Sequence, residues 1–441
     1  MRSSHTLAGI ETTFDEDNLV ANAGLLAPGA LAQKLGVAEL IDEHLQLPAD
    51  AVGRANGGTK AMTVIGAMLA GGDSIADVDV LRAGAGPELF DQGRAPSTIG
   101  TWLRGFIWAS VRMLDKVSRQ VLARAWQAGL GPDLDADLTV DFDSTICQVY
   151  GTAKQGARFG YTKVRGYHPL LATLASTGEV LHARMRGGNA GAARGAGSFV
   201  RETISRIRHA GATGKLTFRA DSAFYSRAFI TACQDHDVAF SVTVDKNSAI
   251  RRAIGQIDES AWVPIPYWLD GGADVAETTY TAFKKTEDEV TLRLIVRRVR
   301  PTPGSQLALD VVFDYHAILT DRDGELLEIE ADHRAHAVVE LAIRDLKAGG
   351  LAHVPSGIFT ANAAWLALAV LAHNLGRWTL AAAGENWHRA TTETLRTKLV
   401  SMPARLVHSA RRLRLRAPTN WPWRDAFETA LVRIAAIPAP T

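Results

Sequence analysis

Three short stretches constrain this chain more than anything else in it. Val140–Thr145 (VDFDST) and Thr217–Ser222 (TFRADS) each close a β-rich apolar run on an aspartate followed by a serine. His333–Lys347 (HRAHAVVELAIRDLK) sets a glutamate on a pattern of helical period. Asp143, Asp221 and Glu340 are therefore three carboxylates on three separate elements. Three such oxygens suit a hard divalent cation in a partly hydrated octahedral site. Asp141 lies two residues before Asp143 and points to the same strand face, so either could be the ligand. Each feature alone has a plainer reading. A strand-end aspartate often forms a turn, and a glutamate sharing its helix face with Arg344 and Lys347 resembles an ordinary surface salt-bridged helix. The combination of all three outweighs those readings.

The order of elements around them is informative. Residues 1–135 read as a helical unit that opens, over residues 1–30, with a leader and a possible short strand: amphipathic at Leu31–Leu45, apolar at Ala61–Leu69, and capped by Ser74 ahead of Leu81. Ser97 or Thr98 would cap a long helix running through Leu122. This unit suits a DNA reader of helix-turn-helix type, or a plain scaffold and dimer face. At Leu138 the period changes from helical to alternating. Strands are expected at Leu138–Val149, Leu170–Ser176 and Glu179–Arg186, then a helix at Ser198–Ala210 and a strand at Leu216–Ala220. A helix at Ser226–His236 and a strand at Val238–Val244 complete the first part, residues 136–245. That order is the order of an RNase H-like α/β domain. Residues 246–325 interrupt it with a β-rich insertion (Glu289–Val299, Leu307–Phe313, His316–Thr320). Residues 326–380 resume the core with the Glu340 helix and a helix at Ile358–Arg377. Residues 381–441 form a basic region expected to be helical, at Thr391–Val400 and Trp423–Ala435.

A net charge of +1 hides a strong asymmetry. Tyr150–Ala210 carries ten Lys/Arg against two Glu, and Thr394–Trp423 carries seven Lys/Arg and no acid. Basic faces of this kind suit phosphate backbones, which supply most sequence-independent affinity for DNA. The apolar run Ala363–Ala372 is too short to span a bilayer. The start, MRSSHTLAG, lacks the apolar stretch of a signal peptide. The two cysteines, Cys147 and Cys233, form neither a disulfide framework nor a zinc spacing. A cytoplasmic protein, nucleoid-associated through DNA and with no membrane partner, is the expectation. Dinucleotide, Walker, HExxH and Gly-x-Ser-x-Gly motifs are absent in usable form.

At these motifs the chain resembles the DDE transposases of the RNase H-like superfamily, in the family-4-like group of insertion sequences and nearest to family 1380. That group's signature is Tyr, two residues, Arg, three residues, Glu, six residues, Lys. Counted from Glu340, the Lys falls on Lys347, while His333 and His336 occupy the Tyr and Arg positions. The segment Gly166-Tyr167-His168-Pro169-Leu170 is also similar to family 1380. The resemblance implies an RNase H-like core interrupted by a β-rich insertion, with Asp143, Asp221 and Glu340 as catalytic ligands of two Mg²⁺ ions, for which Mn²⁺ can substitute. It implies double-stranded DNA as partner, both terminal inverted repeats and target, bound by a homodimer that excises its element through end hairpins. Lys347, Arg344, His336, His333 and Arg334 would contact phosphates, and Tyr161, Lys163, Arg165 and Tyr167 the element end. Trp262 and Trp268 could stack on an extruded base, or pack within the insertion. Two other functions fit the same residues: an inactive or domesticated DNA-binding protein, and an RNase H-fold nuclease without strand transfer.

Overall fold

The computed structural model describes residues 7–91, 93–269, 271–300 and 313–438. After a 3₁₀ turn at Leu7–Gly9 comes a two-residue strand, β1 (Leu19–Val20). Six helices follow: α1 (Leu26–Lys34), α2 (Val37–His44), α3 (Gly57–Leu69), α4 (Gly86–Leu89), α5 (Pro96–Arg104) and α6 (Trp108–Gln127). The long helix expected from Ser97 to Leu122 is two helices. Gly105 closes the first, and Ile107 is extended (φ −109°, ψ 173°) before the second. Pro96 occupies the first turn of α5, where its missing N–H is no loss.

The central strands are β2 (Leu138–Ser144), β3 (Cys147–Gln148), β4 (Arg158–Phe159), β5 (Arg165–Tyr167), β6 (Leu170–Leu174) and β7 (Val180–Arg184). Helix α7 (Ala196–His209), β8 (Leu216–Ala220), α8 (Arg227–Gln234) and β9 (Ala239–Val244) complete the first half of the core. The expected strand Leu138–Val149 therefore ends at Ser144, and Cys147–Gln148 leaves to pair with β5 in a small separate sheet, β3-β5-β4.

After α9 (Ser248–Ile254) come β10 (Val263–Ile265), β11 (Ala273–Ala282), β12 (Val290–Val299) and β13 (Asp314–Thr320). These do not fold apart from the core. Strand β13 pairs antiparallel with β9, Ala317 opposite Val244, so the main sheet runs β10-β11-β12-β13-β9-β8-β2-β6-β7. The strand expected at Leu307–Phe313 lies, except for Phe313, outside the described residues.

Helix α10 (Leu326–Arg334), a 3₁₀ turn (Ala335–Val338) and α11 (Val339–Lys347) carry the third stretch. Helix α12 (Phe359–Ala383) is buried along most of its length and packs on α1, α3, α5, α6, β7 and the last helix. The N-terminal helices and the C-terminal ones thus share one apolar layer around α12. No described helix is long and apolar enough to cross a membrane.

The C-terminal region departs from the helical expectation. Past α13 (Thr392–Leu395) and before α14 (Arg424–Ala436), β14 (Ala404–Ser409) and β15 (Arg412–Arg416) form a hairpin. The reason is legible in RLRLR, an alternation of period two that no helix face can use. Strand β14 also pairs with β1, a short strand within the first thirty residues, so the N-terminal region contributes one strand to this sheet.

Candidate active site

Strands β2 and β8 are parallel neighbours, in register from Leu138 with Leu216 to Phe142 with Ala220. Side chains alternate between the two faces of a strand, which gives the pair two different surfaces. One is aromatic: Phe142 meets Phe218, Phe199, Phe224 and Phe229 with ring centroids 4.8–6.1 Å apart, under α7 and α8. The other carries charge. On it, Asp141 lies level with Arg219; the pairing ends at Phe142 with Ala220, and Asp143 and Asp221 are the next residues along the two segments.

These two rows behave differently. Arg219 grips Asp141 with both arms of its guanidinium, Nε to Oδ1 at 2.7 Å and Nη2 to Oδ2 at 2.8 Å, and both residues are buried. The third nitrogen, Nη1, donates to Asp332 Oδ1 at 3.0 Å and to its backbone carbonyl. His336 Nδ1 completes the group, 2.9 Å from Asp141 Oδ1. Asp141 thus has its lone pairs engaged by a cation and a ring nitrogen, and the ambiguity between it and Asp143 is reduced by that geometry.

Asp143 and Asp221 have no such partner. Among the described residues Asp143 accepts only the Ser144 N–H, at 2.6 Å, and Asp221 caps the 3₁₀ turn Ser222–Phe224 by accepting from Ala223 N at 3.1 Å. Among the described residues neither these two nor Glu340 lies within ion-pair distance of a Lys, Arg or His. Burial, and then the charges of Asp221 and Glu340, push the Asp143 carboxyl up to about 6, against the pull of Ser144 N–H and His336. Burial also raises Asp221, opposed chiefly by His336. Glu340 reaches the pair from the first turn of α11, exposed, on a helix that packs on β2. The three carboxylates do not have donor atoms all within 4.8 Å of one another.

The helix bearing Glu340 is fixed through its predecessor. In α10, buried Glu330 takes Arg297, and Asp332 takes Arg219 and Arg322. His333 is buried with Nδ1 2.8 Å from Ser241 Oγ and Nε2 3.0 Å from Thr243 Oγ1, both on β9. Both ring nitrogens are occupied, and burial, then His336 and Arg219, lower its basicity to a pKa of about 3. The structure therefore gives His333 a docking contact, with no ring nitrogen left for a phosphate. Tyr167 is likewise in the core, its hydroxyl donating to the Gln155 carbonyl and accepting from Asn362. Arg165 donates to the Thr152 carbonyl, and Arg334 is drawn to Glu330 at 3.6 Å. Arg344, Lys347, Tyr161 and Lys163 are exposed. The last two sit between β4 and β5, in the small sheet that continues from the Asp143 strand. Trp262 is half-buried, with Arg298 4.3 Å above its ring, while Trp268 is exposed.

Two site residues were not singled out from the sequence. Arg219 had a signal: it precedes Asp221 by two, as Asp141 precedes Asp143, so the offset matches across parallel strands. His168 is 3% exposed, near enough to Asp221 for their charges to interact, with Nδ1 2.8 Å from the Ala190 carbonyl and Nε2 without a partner. Burial and Arg186 hold it below the ordinary histidine range.

One tight cluster of ligand-type atoms does occur among the described residues, at Asp115, His182 and Glu202. Arg206 pairs with Asp115 at 2.5 Å, Arg184 with Glu202 at 2.9 Å and Arg112 with Glu202 at 3.2 Å. Three guanidiniums already neutralise two carboxylates there, so it ties α6, α7 and β7 together and has no charge left for a metal ion.

The sequence profile described as transposase DDE domain group 1 matches residues 4–439, and the chain belongs to this family of DDE transposases. No curated protein matches it. Among solved structures, the piggyBac transposase synaptic complex with hairpin DNA, determined by cryo-EM, is similar over 86% of this chain and 81% of that one. The identity is 11% and the TM-score 0.44.

Proposed function

We propose that this protein is the transposase of an insertion sequence, excising and inserting its element by cut-and-paste, with Asp143, Asp221 and Glu340 as the metal-binding carboxylates. The observation that carries this reading is the contrast between the two rows of β2 and β8. Asp141 is neutralised by Arg219, whereas Asp143, Asp221 and Glu340 approach one another with no cation among them. A donor set of three unpaired oxygens fits Mg²⁺, and Mn²⁺ equally. Two such ions would supply a Lewis-acid clamp on the attacking and leaving oxygens of an in-line displacement at phosphorus. The residues of the chain do the rest. Asp143 and Asp221 hold fixed positions at the ends of two strands, and α10, tied to β9 and Arg219, sets where Glu340 enters. Exposed Arg344 and Lys347 meet the phosphates, and Tyr161 and Lys163 meet the element end. A homodimer pairing two inverted repeats, with end hairpins as the excision route, completes the reading.

One observation favours a second reading, a transposase-derived protein that binds ends without cutting. His333 stands at the signature's tyrosine position, yet both its nitrogens are bound to β9. The test is Mg²⁺-dependent cleavage of linear DNA carrying the inverted repeats that flank the gene, comparing wild type with Glu340→Gln. The transposase reading expects specific cleavage and joining by wild type, and end binding without cleavage by the mutant. Wild-type binding without cleavage would move the conclusion to the second reading. Cleavage without joining would move it to a nuclease.

A further inference from the structure

The hairpin β14–β15 has two unlike faces. Directly opposed pairs are Arg405 with Arg416, Leu406 with Leu415, Val407 with Arg414, His408 with Leu413 and Ser409 with Arg412. Opposed residues share a face, so Leu406 and Leu415 point one way, into a small core with Val20, Ala85 and Phe90. Arg405, Arg412, Arg414 and Arg416 share the other face, and all four are exposed. Arg405 stands directly opposite Arg416, an arrangement of like charges that weakens a strand pair unless an anion lies over it. Glu16 lies 3.0 Å from Arg405. Among the described residues, Arg412, Arg414 and Arg416 have no carboxylate within 4 Å, and no acid occurs anywhere from Thr394 to Trp423.

The tip adds a second feature. Ala410 and Arg411 both have positive φ, 48° and 63°, the geometry of a two-residue turn that ordinarily takes Asn-Gly. An L-residue there is strained, because its Cβ crowds the carbonyl oxygen that follows. The chain accepts that strain twice and sets a fifth arginine at the end of the ribbon.

A plainer explanation exists, because β15 is an edge strand, and charge on an edge strand deters pairing with other chains. That accounts for charge on β15. It does not account for four arginines gathered on one face of the ribbon, of which Arg405 alone has a carboxylate beside it among the described residues, nor for an arginine in the strained turn. A two-stranded ribbon is the width that the major groove of duplex DNA admits, and its arginines suit both phosphates and guanine edges. We propose that the outer face of β14–β15 is a duplex-DNA contact, an anchor separate from the carboxylate site. It deepens the transposase reading by naming an element that holds the DNA, and it rests on that reading only for the choice of anion.

The test uses the full chain and a 30-bp duplex (about three turns at about 10 bp each) carrying the flanking repeat. Affinity is measured by fluorescence anisotropy across a range of NaCl concentrations. The triple variant Arg412→Gln/Arg414→Gln/Arg416→Gln should bind at least about tenfold more weakly, and the slope of log K against log salt should fall by about 2–3, since each lost phosphate contact removes about 0.9. The matching triple Arg→Lys variant keeps the charge and should keep the slope. These side chains are exposed and Arg416 opposes Arg405, so the melting temperature of the Gln triple should not fall. An unchanged affinity and slope in the Gln triple overturns the proposal, as does a variant that only aggregates while its monomer binds normally, which is the edge-protection outcome. Competition by polyglutamate with no binding of duplex would assign the face to an acidic protein and also overturn it. A wild type that binds through the ribbon but never cleaves would leave this inference standing and remove the transposase reading. A Gln triple that binds and cleaves ends as well as wild type would do the reverse.

Discussion

Asp141 and Asp143 are two residues apart on one face of one strand, yet their removal should have opposite effects on stability. Asp141→Ala leaves the Arg219 guanidinium, only 3% exposed in its side chain, without its bidentate partner. Breaking a buried ion pair on one side costs about 3–5 kcal/mol. Asp332 still meets Nη1, which favours the lower end, about 3 kcal/mol. In a chain of this length that lowers Tm by roughly 5 °C. Asp143→Asn removes a carboxyl whose folded pKa, about 6, lies above its ordinary 3.8. A raised acid pKa means the folded state prefers the proton. The associated stability is present below 3.8 and lost as pH rises through 6, so at pH 8 the metal-free wild type carries the cost of a buried repelling charge. Discounted for partial exposure, the amide should recover about 1–3 kcal/mol. The assay is thermal or urea unfolding in EDTA at pH 8, where Asp141→Ala should melt below wild type and Asp143→Asn level with it or above. The reasoning is refuted if Asp141→Ala costs less than about 1 kcal/mol, the worth of an exposed pair, or if both variants are destabilised alike.

Two further outcomes follow from the same electrostatics. A cation must displace the proton on Asp143, so the apparent affinity for Mn²⁺ should rise with pH up to about 6 and level off above it, with protons released on binding near pH 6 but not at pH 8; calorimetry in two buffers of different ionisation enthalpy checks it, and a pH-independent affinity between about 5 and 8 counts against it. Glu179 is buried against the indole N–H groups of Trp126 and Trp378, and burial pushes it up to about 7. Its favourable, protonated contribution is present below 4.5 and lost as pH rises through 7, so the Tm of wild type should fall between pH 5 and 8 by more than that of Glu179→Gln, whose amide nitrogen cannot accept the second indole N–H and which therefore starts lower.

How much of this was legible in the sequence depends on the range of the interaction. Alternation marked β8 at its observed limits, Leu216–Ala220, and β9 to within one residue, because a buried strand leaves a local pattern. Glu340 and its helix were marked by period and spacing. The break at Gly105 was missed because the apolar period runs through it, and only the packing of α12 against both halves shows why the chain must turn; Thr360 donates to the Phe106 carbonyl at the break. The partners that Arg219, Asp332 and His336 find were beyond reach for a different reason, although the spacing of Arg219 from Asp221 was a signal and His336 stood out as a candidate phosphate contact. Their roles are set by hydrogen bonds between residues 78 to 195 positions apart, and no local pattern encodes such a partner. The same holds for His333 and Tyr167: an aromatic or imidazole ring near a basic loop reads as a ligand contact until burial shows both rings facing inward.

The position of Glu340 follows from how the first row of charges is used. Asp141 and Arg219 close on each other across β2 and β8, but the guanidinium has one nitrogen left and the carboxylate one open direction. Asp332 takes the nitrogen and His336 the carboxylate, and both belong to the segment that leads into α11. Docking that segment on the first row brings Glu340, four residues past His336, over the second. There the folded chain sets Asp143 beside Asp221 and adds a third negative charge, which destabilises the metal-free state and which a divalent cation would relieve. On this reading a histidine at the signature's arginine position serves the sheet in place of the phosphate. It follows that His336→Arg should gain no end affinity unless the Asp141 contact is also removed.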